Sequence, residues 1–177
     1  MKKQIFLSIL FFILSPVSHS FSADLNPLLA SSLKYENIRV ARVLSADRIL
    51  LENEEKISLI GIKGPRAPKM KDVKRDEHGF IIRDEDPTTP FEMEAVGFVR
   101  SLAEGKPVRL EFDVQRRADN GDILAYVILP DARLLNAEIL RYGYANLRLV
   151  PPNMKYADKL RTAYQEARRE MRGMSSE

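Results

Sequence analysis

The chain has no cysteine among its 177 residues. That excludes structural disulfides, thiolate metal sites and a lipid anchor attached to cysteine. Histidine is scarce as well: only His19 and His78 occur, and His19 lies in a segment that reads as removable. Too little imidazole is left for a histidine-built zinc site, a His-based triad or a paired-histidine phosphodiesterase centre. Long apolar runs are missing. The longest, residues 5–14, is ten residues interrupted by Ser8, against the roughly 20 that a spanning helix needs. With Met1-Lys2-Lys3 before it and Pro16 and the small-residue run Ser18 to Ala23 after it, this run has the layout of a secretory signal cleaved after Ser20 or Ser22. The expected organisation is a signal over 1–22, a flexible lead-in over 23–36, one domain over 37–172 and a tail over 173–177. Export to a bacterial periplasm or the medium follows, with no membrane span left after cleavage and a monomer as the expected state. Losing Lys2 and Lys3 takes the formal net charge from +3 to +1, so overall charge gives little support for a polyanion partner. Repeats and low-complexity tracts are absent too.

What is present is a short-strand pattern. Asn37 to Leu44 alternates basic and apolar residues, as a half-buried strand does. Ser45-Ala46-Asp47 turns the chain into a second strand, Arg48 to Glu52, and Asn53-Glu54-Glu55 turns it into a third, Lys56 to Ile62. Connections this short predict an antiparallel meander. From Pro65 to about Pro90 periodicity is lost, a longer loop than a small domain keeps without cause. Its first half is basic and its second acidic, so it is either a solvated loop whose halves offset each other or a functional one. Thr88-Thr89-Pro90-Phe91-Glu92 is a helix start, with a Thr cap, an early Pro and an acid near the positive end of the dipole. That helix should end before Gly105. Val108 to Val114 alternates without a fault, which predicts Val108, Leu110, Phe112 and Val114 facing inward. Asn120-Gly121 marks a hairpin turn with positive φ values, and Ile123 to Leu129 the return strand. A short helix over Leu135 to Tyr142, an extended piece to Val150 and an amphipathic helix over Tyr156 to Arg172 complete the chain. Five strands with a helix after the third is the order of an OB-fold barrel.

With that order in place, the sequence resembles the staphylococcal nuclease (thermonuclease) family over roughly Asn37 to Arg172. Leu44-Ser45-Ala46-Asp47-Arg48-Ile49 stands where the family has D-G-D-T, and Leu59 to Arg66 where an apolar strand ends in D-T-P-E. Arg117 to Tyr126 is similar to its R-x-D-x-Y-G-R-x-L-A-Y hairpin, one residue shorter in the turn. Leu134 to Ala145 is similar to its L/V-N-x-x-L-V-x-x-G-x-A segment. The resemblance implies an α+β, mainly β fold: a five-stranded OB barrel with three helices.

The family's catalytic pattern implies a Ca²⁺ held by carboxylates of the first turn and of D-T-P-E, a glutamate acting on water, and two phosphate-binding arginines. Here the first arginine's position is Ser58, the D is Lys63, the T is Gly64, the E is Arg66 and the turn arginine is Asp122. Only Asp47 keeps a metal-ligand carboxylate, and the stacking tyrosines after the second helix are replaced by Arg148-Leu149-Val150-Pro151. Ca²⁺ requires six to eight oxygens, mostly anionic. One aspartate beside a lysine cannot supply them, so no cofactor is expected. Loss of the arginines, the base and a ligand predicts loss of hydrolysis by that route, since one arginine alone can contribute about 10³-fold. Asp122 would also repel a phosphate.

Three readings are open at this level. The first is a catalytically silent exported domain that binds nucleic acid or an acidic partner through Arg66, Lys69 and Lys71, with Lys74 and Arg75 nearby. Against it stands the simpler account of those cations as loop solubility. The second is a metal-dependent nuclease using relocated Asp47, Asp119 and Asp122, although turns favour aspartate for their own reasons. The third is a structural partner in an envelope assembly. Binding or partnership ranks above hydrolysis because the charges for chemistry are absent or reversed.

Overall fold

The computed structural model describes residues 35–66, 77–78 and 89–173. The expected signal, Lys69, Lys71, Lys74 and Arg75 lie outside them. Strands β1 (Ile38–Ser45), β2 (Arg48–Leu51) and β3 (Lys56–Leu59) form the expected antiparallel meander. A short β4 (Ile62–Lys63) follows, then helix α1 (Pro90–Ala103), β5 (Pro107–Glu111), β6 (Ile123–Ile128), α2 (Leu135–Arg141), β7 (Asn146–Leu147) and α3 (Ala157–Arg169). Strands β1, β2, β3, β6 and β5 close into a five-stranded barrel, and β4 pairs with β7 outside it. Closure needs one parallel contact, made by β3 and β6 through Ile57↔Ile123 and Leu59↔Ala125. This is the α+β barrel with three helices that the sequence implies.

Three local expectations change. The predicted third strand is two strands, broken by a turn at Ile60–Gly61. Gly61 has φ +82°, and a Cβ there would collide with the Leu160 side chain. Only glycine takes that backbone so close to α3. The strand predicted over residues 108–114 ends at Glu111, and Val114 is 73% exposed rather than inward. The cause is tertiary: the Asp113 carboxylate accepts from the Tyr126 hydroxyl at 3.2 Å and the Lys155 N–H at 2.8 Å, which bends the chain out of the ladder. In the 118–122 turn, only Gly121 has positive φ, and Asn120 does not.

Helix α1 starts as its sequence predicts, with the Thr89 hydroxyl accepting from the Glu92 N–H at 3.1 Å and Pro90 in the first turn. Its Ala95, Val99 and Ala103 are buried against the barrel. Helix α2 is buried along nearly its whole length. Asn136 on it donates to the Ile60 carbonyl at 2.8 Å and accepts from the Val127 N–H at 3.0 Å. Both partners are backbone groups that the turn after β3 and the ladder of β6 leave open. One buried amide satisfies them, at a site where an unmade bond costs roughly 1–3 kcal/mol. The turn that breaks β3 is thereby pinned to the core, and β4 leaves it in a fixed direction towards the cavity described next. Among the described residues, no helix is long and apolar enough to cross a membrane.

Candidate functional site

One end of the barrel opens into a cavity of about 450 Å³. The β1–β2 turn, the ends of β3 and β4, the 118–120 turn and the segment around Arg148 to Asn153 line it. That last segment is held in place by Asn153, which accepts from the Gln115 N–H at 2.7 Å and donates to the Gln115 carbonyl at 2.8 Å. The Arg148 N–H bonds the Gly61 carbonyl at 2.9 Å, so the arginine is carried to the cavity wall beside β4.

Two aspartates organise the charges, and each is 5% exposed. Asp47 ends the β1–β2 turn. Its Oδ1 accepts from the Ser45 hydroxyl at 2.7 Å, and Lys63 Nζ and Arg66 Nη2 lie 3.5 and 3.6 Å from its Oδ2. Gly64 allows this approach: a Cβ there would sit 3.3 Å from the Asp47 nitrogen and 3.1 Å from the Ala46 Cβ. Burial pushes the Asp47 carboxyl up. The Ser45 hydroxyl, the Gly64 backbone and the two cations more than offset that and leave it below the ordinary range.

Asp122, in the hairpin turn, lies outside the cavity lining but bonds three residues that belong to it. Its Oδ2 accepts from Arg48 Nε at 2.8 Å and Nη2 at 2.7 Å, from the Ser58 hydroxyl at 2.9 Å and from Asn120 Nδ2 at 3.0 Å. Burial raises this carboxyl too, and the bonds from Ser58 and Asn120 together with the Arg48 charge bring it below the usual value. Arg48 and Ser58 are facing partners across β2 and β3, so the barrel itself sets this geometry.

Of the predicted residues, Asp47, Ser58, Arg66, Asp119 and Asp122 can be placed, while Lys69 and Lys71 lie outside the described residues. Ser58, at the family's arginine position, spends its hydroxyl on Asp122. Arg66 lies at the cavity with its side chain 53% exposed, on Asp47. Asp122 is not a bare negative charge facing the cavity, so the phosphate repulsion expected of it is offset at the source by Arg48. Asp119 is exposed and lines the cavity. It does not gather with Asp47 and Asp122 into a metal cage: among the described residues, no group of three or more His, Asp or Glu side chains is placed to hold an ion. The Ca²⁺ implied by the resemblance does not fit this donor set, because the one retained carboxylate already faces two cations within 4 Å.

Sequence reasoning passed over Arg48 and Arg148. Arg48 directly follows Asp47, where the family motif has a threonine, and that substitution was its available signal. Nothing local marks Arg148, since its place at the cavity depends on the β4–β7 pairing.

Comparison with known proteins agrees with this architecture. A family model described as "Staphylococcal nuclease homologue" matches residues 56–177. A thermonuclease of Staphylococcus intermedius is 27% identical over 143 residues, which is 79% of this chain and 76% of that protein. A thermonuclease of Staphylococcus hyicus is 25% identical over 159 residues, 86% of this chain and 85% of that protein.

Proposed function

The chain belongs to the staphylococcal nuclease family, and from that premise we propose that it is an exported binding domain for single-stranded nucleic acid that does not hydrolyse its ligand by the family's metal route. One observation carries the reading: around the positions where the family pattern has its arginines and acids, the ionic groups are paired with one another. Asp47 faces Lys63 and Arg66, and Asp122 faces Arg48. A divalent ion at Asp47 would first have to displace two cations. A phosphoryl transition state would find its nearest guanidinium already engaged by a carboxylate.

Binding asks for less than catalysis. Lys63, Arg66 and Arg148 surround an opening whose floor includes Leu59, Ile60 and Ile62. Such a mix of cationic rim and apolar floor suits the backbone and base faces of a single strand. Among the described residues no aromatic ring lines the cavity, and with cations on its rim the binding should be salt-dependent and tolerant of sequence. Export rests on the charged, apolar and small-residue order of residues 1–23.

The deciding experiment incubates purified mature protein with labelled single-stranded DNA and Ca²⁺, Mg²⁺ or Mn²⁺, and follows retention and cleavage together. Retention at low salt without cleavage is the expected result. Cleavage abolished by Asp47→Ala would establish a nuclease instead. Absence of retention at low salt would remove nucleic acid and leave an envelope protein as the partner.

A further inference from the structure

We infer that Arg48, Ser58 and Asn120, which line the cavity, form an oxyanion seat which the chain fills with its own Asp122, a residue of the adjoining depression rather than of the cavity lining. Two N–H groups of Arg48, the Ser58 hydroxyl and the Asn120 amide converge at 2.7–3.0 Å on a single oxygen, Oδ2, of a carboxylate that is 5% exposed. An ordinary ion pair in a turn does not need four donors on one oxygen. The same set of guanidinium fork, hydroxyl and amide is what holds a phosphate or sulfate oxygen. The donors also come from separate places. Arg48 and Ser58 belong to adjacent barrel strands, while Asn120 belongs to the turn that carries Asp122. The barrel part of the seat therefore exists independently of its occupant.

A carboxylate tethered in the seat competes with free anions at a very high effective concentration. The native protein accordingly takes no phosphate in the seat. A strand lying in the cavity rests its phosphates on the rim cations Lys63, Arg66 and Arg148, with the seat closed to them. Shortening Asp122 leaves Arg48 half-sheltered and without its counter-charge, a condition that favours uptake of an external anion. The seat would then accept a tetrahedral oxyanion, whether free inorganic phosphate or the terminal phosphate of an oligonucleotide.

The test compares wild type with Asp122→Ala by thermal unfolding and calorimetric titration in inorganic phosphate, against chloride at matched ionic strength. A separate arm uses 5′-phosphorylated and 5′-hydroxyl oligonucleotides to tell free from terminal phosphate. Saturable stabilisation of the variant by phosphate is expected, with an affinity at least about tenfold above any in the wild type, as gain of one or more charge-assisted bonds implies. Equal responses of variant and wild type, or equal effects of phosphate and chloride, would overturn the seat. If the variant folds only when phosphate is present, that supports it. If it folds in neither salt, the Arg48 Nε–H NMR signal of the wild type decides: unmoved by phosphate supports a filled seat, and displaced by phosphate refutes it. The inference shares its cavity with the proposed binding function but not its ligand. Inorganic phosphate on the variant tests the seat and single-stranded DNA on the wild type tests the module, so either can fail alone.

Discussion

Asp47 and Asp122 are equally buried, both lie below the ordinary carboxyl range, and both are paired with cations that line one cavity. They are nevertheless held in opposite ways. Asp47 is satisfied by its own neighbourhood, the Ser45 hydroxyl and the Gly64 backbone, and its cations stand off at 3.5 and 3.6 Å with side chains 36% and 53% exposed. Asp122 depends on Arg48 at direct bonding distance, 2.7–2.8 Å. The difference separates cations that can turn to a ligand from one that cannot. Lys63 and Arg66 can leave Asp47 while its carboxylate keeps its hydrogen bonds. Arg48 cannot leave without stranding a buried charge.

The largest test of that contrast is stability. Arg48→Met should lower unfolding free energy by about 2–3 kcal/mol, because it leaves a buried carboxylate short of its main partner. Lys63→Met or Arg66→Met should each cost less than about 1 kcal/mol, as exposed pairs do. Urea denaturation measures all three, and equal losses would erase the distinction. Replacing both partners, Arg48→Met with Asp122→Leu, should recover part of the loss, since no charge is then left unpaired.

Next in size is the acid limb. The folded carboxyl of Asp122 lies below its ordinary value, held there against burial by Ser58, Asn120 and Arg48, so its contribution is complete above the unfolded value and is lost as pH falls through the folded one. The stability gap between wild type and Asp122→Asn should therefore be full at neutral pH and close below about pH 4. Glu111, lowered to about 2 by burial-opposing bonds from Lys155, Tyr156 and Arg109, adds a background loss in the same direction. A gap that persists unchanged to pH 2 would show that folding does not lower the Asp122 carboxyl.

The smallest effect is on ligand binding, where the ranking reverses. Lys63→Ala and Arg66→Ala should each reduce the salt slope of single-stranded DNA retention by about 0.7, one phosphate contact's worth. Arg48→Met should leave the slope unchanged, its charge being spent inside the protein. A drop in slope for Arg48→Met comparable to the others would place that arginine on the ligand.

The barrel was legible in the sequence because alternation and turn residues are local signals. Residues 37–44 alternate because one face of β1 is buried, residues 123–129 run apolar because both faces of β6 are, and Thr89-Pro90 starts a helix whatever lies around it. Val114 misled because its alternation is real, while Asp113 is drawn away by Tyr126 and Lys155 from distant segments. The break in β3 followed from Gly61, a single residue inside an apolar run, and needed Asn136 and Leu160 on separate helices to fix it.

For the site, the residue types alone determined that a lysine, Lys63, an arginine, Arg66, and an aspartate, Asp122, stand in the wrong places for the calcium chemistry of the family's pattern. That conclusion needed only identity and position along the chain, because the sign of a side chain's charge is fixed by its chemistry. Only the tertiary structure decided which charge meets which. Arg48 and Asp122 are 74 residues apart, and Lys63 meets Asp47 only because two strands and a turn bring them together. Coulomb attraction and hydrogen bonding act over a few ångströms of space and take no account of chain separation. The pairing that neutralises this site was therefore a property of the folded barrel.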